Sequence, residues 1–549
     1  MSEERDATCP LHEATARALV DLGVDTLFGL IGDANLFMVQ RFRESAHGRF
    51  VPAAHEAGAV LMAIGYSLVS GRPGVVSVTH GPGLTNTLTA LVEAVKARVP
   101  LLFLCGDTPV TEREHFQHVD QREFVLAAGA GFEQLRSPAT LLEDLTRALR
   151  RALLERRPVA LNMPADFEWE PLGYRPPRLL LPDPPAAPRA GSALDDAVGI
   201  LASARSPVIL AGRGALAPAA ETALAALAER AGALLATTLK GKGLFRDDPF
   251  NLGVFGTLST AVANDLILES DCVIAFGASL NKWTSGRGSL LSGKRVVQCN
   301  QDPASLGAHW LPDAALAGDP AQIAAEIVYW LDEAEIPARA FRSEENRARI
   351  AACDPFAELP DTATATTVDL TRALLRIGEA LPADRVYVTD VGRFVGQAWQ
   401  AIDVARPGAF LHTVHFGSIG LGLGYALGAA VASPERPALL VTGDGGFMLG
   451  GLTEFHTAVR EQLDVVVVVC NDGGYGAEYV QYEARGRDPA PSLFAWPSFA
   501  AVAEALGGSG VTVHDEASLA RACAAIAERT GPLLVDLRLD PATMIPLDY

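Results

Sequence analysis

Short apolar runs alternate with alanine-rich stretches of helical length along almost the whole chain. The runs at 74–79 and 100–105, at 208–211 and 271–276, and at 438–441 and 464–470 carry few polar residues, as strands buried on both faces do. The pattern predicts open parallel sheets covered by helices. Two stretches break it: 174–192, dense in proline and arginine, and 354–367, polar and rich in Ala and Thr. They cut the chain into thirds, so three doubly wound α/β parts are expected, at 1–180, 190–350 and 365–549. In such folds ligands bind at the carboxyl edge of the sheet, so the residues just after each strand are where chemistry belongs.

Composition narrows the classes. A chain of 549 residues exceeds one hydrophobic core. With 49% hydrophobic and 20% charged residues, it has no uncharged apolar run near the roughly eighteen residues that would span a bilayer. The first ten residues are polar and acidic without a basic-then-apolar leader, so the cytoplasm is the expected location. A formal net charge of −20 disfavours nucleic acid or an anionic membrane as partner. Seven scattered cysteines without C-x-x-C spacing indicate neither a disulfide framework nor a zinc site.

The strongest local signal is a pair of glycine-rich turns after two strands. The first reads Gly443-Asp444-Gly445-Gly446-Phe447, the second Asn471-Asp472-Gly473-Gly474-Tyr475-Gly476. A carboxylate and a second oxygen ligand at neighbouring strand tips suit one hard divalent cation, and the glycines let backbone groups approach a polyphosphate. The intervening 452–462 reads as a helix whose N-terminus favours anions. A Gly-Asp-Gly by itself is usually only a turn; the second turn is what gives the first its meaning.

This pair resembles the thiamine diphosphate enzymes of the pyruvate oxidase, acetohydroxyacid synthase, benzoylformate decarboxylase and pyruvate decarboxylase group. The resemblance implies Mg²⁺ held by Asp444, by Asp472 and by the Gly474 carbonyl. Glu454 sits one place late relative to the family, and counting from Asp444 selects Asn471 and Gly473 instead; Tyr475-Gly476 and an additional carboxylate favour Asp472. Asp390-Val391-Gly392-Arg393 and Gly417-Ser418-Ile419-Gly420 fit the family's diphosphate and pyrimidine loops, with Ile419 as the apolar residue that bends the cofactor.

Such a cofactor needs one glutamate in a water-poor place to stabilise the imino form of its pyrimidine. Glu56, in His55-Glu56-Ala57-Gly58-Ala59 at the start of an apolar helix, fits; helix capping is the bland reading of the same residue. The family pattern continues with His80-Gly81-Pro82-Gly83. It also implies that Glu56 and the metal turn of one site come from different subunits, so a homodimer or homotetramer is expected.

For the reaction, Gly32-Asp33-Ala34-Asn35 resembles a decarboxylase loop whose aspartate relays protons, and Glu478 matches a second acidic relay residue. The stretch holding His115, Gln117 and His118 looks more like acetohydroxyacid synthases. His80 and His115 are candidates for proton handling, with a structural role as the alternative for each. The resemblance implies a 2-oxo acid donor passed to a proton or a carbonyl acceptor. It leaves FAD doubtful, with 276–281 the place where it would lie. Other readings are an acyl-CoA or sulfonated substrate, a non-catalytic protein of the same fold, and an NAD-dependent oxidoreductase built on Gly212-Arg213-Gly214, a glycine pair better read as a tight turn.

Overall fold

The computed structural model describes residues 7–543 apart from 113, 183–187, 189 and 358. Parts of both predicted breaks and the first six residues therefore lie outside the described residues. Three six-stranded parallel sheets are present, each with helices on both faces. The first contains β1 (Thr26–Gly29), β2 (Arg49–Pro52), β3 (Gly74–Val78), β4 (Leu101–Asp107), β5 (Gly131–Gln134) and β6 (Pro158–Pro164). The middle one contains β7 (Pro207–Ala211), β8 (Leu234–Thr237), β9 (Asn251–Val254), β10 (Cys272–Phe276), β11 (Arg295–Asn300) and β12 (Ala314–Ala317). The third contains β13 (Val386–Thr389), β14 (Phe410–His412), β15 (Ala438–Gly443), β16 (Val465–Asn471), β17 (Ser509–Val513) and β18 (Leu533–Arg538).

The strand orders are β2-β1-β3-β4-β6-β5 in the first sheet and β14-β13-β15-β16-β18-β17 in the third. These are one topology used twice. The middle sheet runs β9-β8-β7-β10-β11-β12, with its reversal of order between β7 and β10. There the Gly212–Gly214 turn lies directly on Gly277: a β-carbon on Gly214 would stand 2.7 Å from the Gly277 Cα. The glycine pair is a packing device between two strand ends, which is the tight-turn reading.

The chain forms two compact units, one of Met1–Leu181, Thr362–Ile402 and Leu411–Tyr549, the other of Pro182–Asp361 and Asp403–Phe410. In the larger unit the first and third sheets share a core. It runs from Phe103 and Leu101 through Val60 and Ile64 to Leu427, Leu440 and Val467. Its centre is the contact of α1 (Glu56–Ser70) with α3 (Gly422–Ala432). Both helices are apolar nearly all round, as helices buried on every side must be. Glycines bring their backbones together: a β-carbon on Gly428 would overlap the Met62 carbonyl, and one on Gly65 the Tyr425 carbonyl. Between them in sequence, α2 (Leu88–Ala97) packs on α1.

Candidate active site

Four loops meet at the carboxyl edge of the third sheet, because β14, β13, β15 and β16 are neighbours and each ends in a polar turn. Asp444 follows β15 and is 2% exposed. Its carboxylate accepts hydrogen bonds from the Gly445 N–H (2.6 Å) and from the N–H groups of Gly473 (2.8 Å) and Gly474 (3.0 Å), so the two glycine turns are physically one structure. Asp472 is buried as well. Burial pushes Asp444 up to about 6, and burial together with the neighbouring Asp444 pushes Asp472 up to about 7.

Two buried carboxylates this close oppose each other's ionisation, and a bound cation removes the conflict. The donor set tests which cation. The donors that the two turns bring together are carboxylate and backbone oxygens, with neither thiol nor imidazole among the described residues that hydrogen-bond to Asp444. Two carboxylates supplemented by backbone oxygen and water suit Mg²⁺. Asn471 lies in β16 with its side-chain amide donated to the buried Asp536 (2.8 Å).

The segment after β15 corrects the expectation of a helix beginning at 452. Helical backbone starts at Asp444 itself, opens into a π turn over Phe447–Gly451 and continues as α4 (Leu452–Arg460). A π turn is how a helix absorbs one additional residue. The turn over Phe447–Gly451 stands between Asp444 and Glu454 in this helix. The anion-favouring helix start therefore coincides with the Asp444 turn, where a diphosphate would need it.

Glycines around this edge are there for close approach. A β-carbon on Gly445 would come 2.5 Å from the Tyr475 ring, and one on Gly446 would meet the Asp390 carboxylate at 2.9 Å and the Gly420 nitrogen at 3.2 Å. One on Gly392 would come 2.5 Å from the Phe394 ring. Asp390, fully buried, accepts from the Gly420 N–H (2.8 Å) and from the hydroxyls of Thr413 (2.9 Å) and Thr442 (3.1 Å). It thereby ties the Gly417, Ser418 and Ile419 loop to its own strand. Arg393 is buried beside Asp472 and donates to the Pro541 carbonyl (2.7 Å). Gly476 begins α5 (Gly476–Ala484), and Glu478 is exposed in its first turn.

The equivalent edge of the first sheet gathers the remaining candidates. Gly32 and Asp33 follow β1, His80 follows β3, and His115 and Gln117 lie in the loop after β4. Gly32 packs on Thr79, a β-carbon there falling 2.7 Å from the Thr79 Cβ. His80 is 2% exposed, and burial lowers its pKa. The His115 ring stands edge-on to it at 5.0 Å, and His115 Nδ1 accepts the Gln117 N–H (3.2 Å). Gly81, at φ 61°, lets the chain turn under the Gln117 carbonyl, a place where any side chain would collide.

Glu56 opens α1, buried, and its carboxylate accepts the Asn86 amide (3.0 Å). Before it, the N–H groups of Ala54 (3.1 Å) and His55 (3.0 Å) donate to the buried Glu454 carboxylate from α4. In the sequence Asn86 has no assigned role, Asp390 is named only as part of a loop and Glu454 only as a register mark. Asn86 was within reach, since it closes the His80 glycine motif; the other two show only as buried carboxylates once the chain is folded.

Two comparisons with known proteins bear on this chain. Residues 10–126 match the family pattern described as thiamine pyrophosphate enzyme, N-terminal TPP binding domain, residues 194–327 match its central domain, and residues 390–537 match its C-terminal TPP binding domain. A probable 2-ketoarginine decarboxylase of Pseudomonas aeruginosa is 33% identical over 543 residues, covering 97% of this chain and 94% of that protein. A sulfoacetaldehyde acetyltransferase of Castellaniella defragrans is 29% identical over 91% of this chain and 88% of its own length. An acetolactate synthase large subunit of Parasynechococcus marenigrum is 28% identical over 97% and 89%. The chain belongs to the thiamine pyrophosphate enzyme family.

Proposed function

We propose that this enzyme is a thiamine diphosphate and Mg²⁺ dependent 2-oxo acid decarboxylase or carboligase whose active site divides its work between the two equivalent sheet edges. The observation that carries the reading is the pair Asp444 and Asp472, two buried carboxylates with raised pKa values at adjacent strand tips inside a cradle of glycines. When bound, thiamine diphosphate supplies a nucleophilic carbon and an electron sink for the bond next to a 2-oxo group. The protein's residues bind, orient and handle protons around it.

Asp444, Asp472 and the Gly474 carbonyl hold the metal. The turned-away Asn471 amide and the π turn both support Asp472 over Asn471. Gly392, Arg393, Gly443, Gly445, Gly446 and Gly476 cradle the diphosphate, with Tyr475 walling the turn. Gly417, Ser418 and Ile419 shape the pyrimidine end. Glu56, oriented by Asn86, holds a proton at the pyrimidine nitrogen. His80, His115 and Asp33, with Glu478, move protons to and from substrate, and Gln117 positions it.

Glu56 and the metal turn of one site come from two copies of the chain in this reading. Supporting it, large apolar side chains stand exposed around both edges: Ile31 at 59% and Phe116 at 89% on the first, Leu449 at 64% on the third. Surfaces of that kind are covered by a partner. A homodimer or homotetramer should therefore run as such in sedimentation velocity. Seven free cysteines fit a reducing, cytoplasmic location.

The test offers purified protein, thiamine diphosphate and Mg²⁺ a panel of 2-oxo acids, from pyruvate to the cationic 5-guanidino-2-oxopentanoate, with CO₂ release measured with and without aldehyde acceptors. Turnover of one donor names the class. Turnover only of sulfoacetaldehyde or an acyl-CoA moves the enzyme to a different substrate, and cofactor binding without any turnover makes it a binding protein of the same fold.

A further inference from the structure

One fully buried acid near the site has no part in the proposed mechanism. Helix α2 buries Ala90, Leu91, Ala94 and Ala97, and Glu93 lies on that same face with no exposure at all. A carboxylate in such a place persists only if its oxygens are satisfied. Its partners lie more than three hundred residues downstream, on the third sheet's side of the shared core. His415 Nδ1 is 2.6 Å away, the Phe416 N–H donates at 2.7 Å and the Tyr425 hydroxyl at 3.1 Å. One turn on, the Lys96 ammonium stands 5.5 Å from the centre of the Phe416 ring.

His415 and Phe416 sit in the middle of the loop from Thr413 to Gly420. Asp390 holds both ends of that loop, through the Thr413 hydroxyl and the Gly420 N–H. Gly417, at φ 86°, Ser418 and Ile419 follow directly after Phe416. The loop thus has its ends pinned from its own sheet and its middle pinned from the other. We infer that Glu93 is a positioning residue for the cofactor loop: through His415 and the Phe416 backbone it sets where Ile419 projects. This rests on the reading of Ile419 as the residue that shapes the cofactor.

The chemistry of the clamp predicts a graded response. With Glu93 ionised, His415 carries its proton on Nδ1 and donates it. In Glu93→Gln the amide oxygen still accepts from Phe416, while the amide nitrogen faces His415, which must shift its proton to Nε2 to accept. Glu93→Ala loses all three bonds.

The experiment has two arms. The first is hydrogen exchange of cofactor-free wild-type, Glu93→Ala and Glu93→Gln protein: amides of 414–418 should exchange at least about tenfold faster in Glu93→Ala, with Glu93→Gln between, while 444–446 and 472–476 keep the wild-type rate. The second is binding at fixed Mg²⁺: Kd for thiamine diphosphate should rise about 10–100-fold in Glu93→Ala, and Kd for inorganic diphosphate, which needs only the metal turn, should not change. Unchanged exchange at 414–418, or an equal loss for both ligands, overturns the inference, since general damage would weaken both alike. If Glu93→Ala does not fold, Glu93→Gln and His415→Phe carry the same two arms. A wild-type protein that binds diphosphate but no thiamine diphosphate counts against the cofactor reading, and the exchange arm then decides the role of Glu93 alone.

Discussion

The first and third sheets have one topology, strand for strand, yet their carboxyl edges carry different sets of side chains. The third edge is built from close-packed glycines and buried aspartates whose pKa values stand near 6 and 7, a surface suited to an anion and a cation together. The first edge carries the buried Glu56, fastened by an amide, and two histidines ring to edge. What differs is the residue placed after each strand. The scaffold supplies positions, and in the proposed reading charge density at those positions would decide whether an edge binds a metal diphosphate or moves a proton.

Substitutions at the two edges should therefore fail in different ways. Glu56→Gln should have the largest effect: cofactor binding stays near wild type while exchange of the cofactor C2 proton slows by roughly 10²–10⁴. Nuclear magnetic resonance after acid quench reads that rate directly, and wild-type exchange in the variant would remove Glu56 from the proton path. Asp472→Asn should do the reverse, weakening Mg²⁺ by at least about 100-fold, with C2 exchange restored once metal and cofactor are forced to saturation. A calorimetric titration showing unaltered Mg²⁺ affinity would return the ligand role to Asn471. Exchange that stays slow at saturation would mean that the third edge also handles the proton, and the division of labour would fall.

How far the sequence reached follows the same division. The apolar runs at 74–79, 271–276 and 464–470 are strands because nothing but a sheet buried on both faces accommodates them. The glycine turns were legible because close approach leaves a composition mark. The register between them was not: a π turn over Phe447–Gly451 takes up a residue with no signature in the residue types themselves. Nor was the fusion of the first and third sheets into one unit, which depends on α1 and α3 meeting through Gly65 and Gly428 hundreds of residues apart. Glu93, and the roles of Asp390 and Glu454, escaped for a related reason. A carboxylate reads as surface in a sequence, and only its distant partners show that it is buried.

Asn86 tests how much of the first edge's function lies in orientation. Asn86→Ala removes the donor to Glu56 and leaves the glutamate in place, so it should slow C2 exchange about tenfold, well short of Glu56→Gln. An effect as large as that of Glu56→Gln would make Asn86 part of the proton path itself. No effect would mean the helix start, held by Glu454, orients Glu56 without help.

The smallest effect separates burial from function, because the first sheet's half of the unit has a raised carboxylate too. Glu168 is buried, one carboxylate oxygen has no partner among the described residues, and burial alone lifts its pKa to about 7. Unlike Asp444 and Asp472 it faces no second acid and belongs to no glycine cradle. A carboxyl whose folded pKa is raised from 4.5 to about 7 contributes stability that is complete below pH 4.5 and lost as pH rises through 7. Glu168→Gln keeps the neutral form at every pH, so it should gain about 1–2 kcal/mol over wild type at pH 8 and nothing at pH 4. Urea melts at the two pH values measure the difference. If the variant gains nothing at pH 8, the Glu168 charge is already neutralised in the folded protein by a group the isolated chain does not supply. A second copy of the chain would then be the first place to look. If it gains as predicted without change in turnover, a raised pKa in this fold marks burial, and only a second carboxylate in a glycine cradle marks the site.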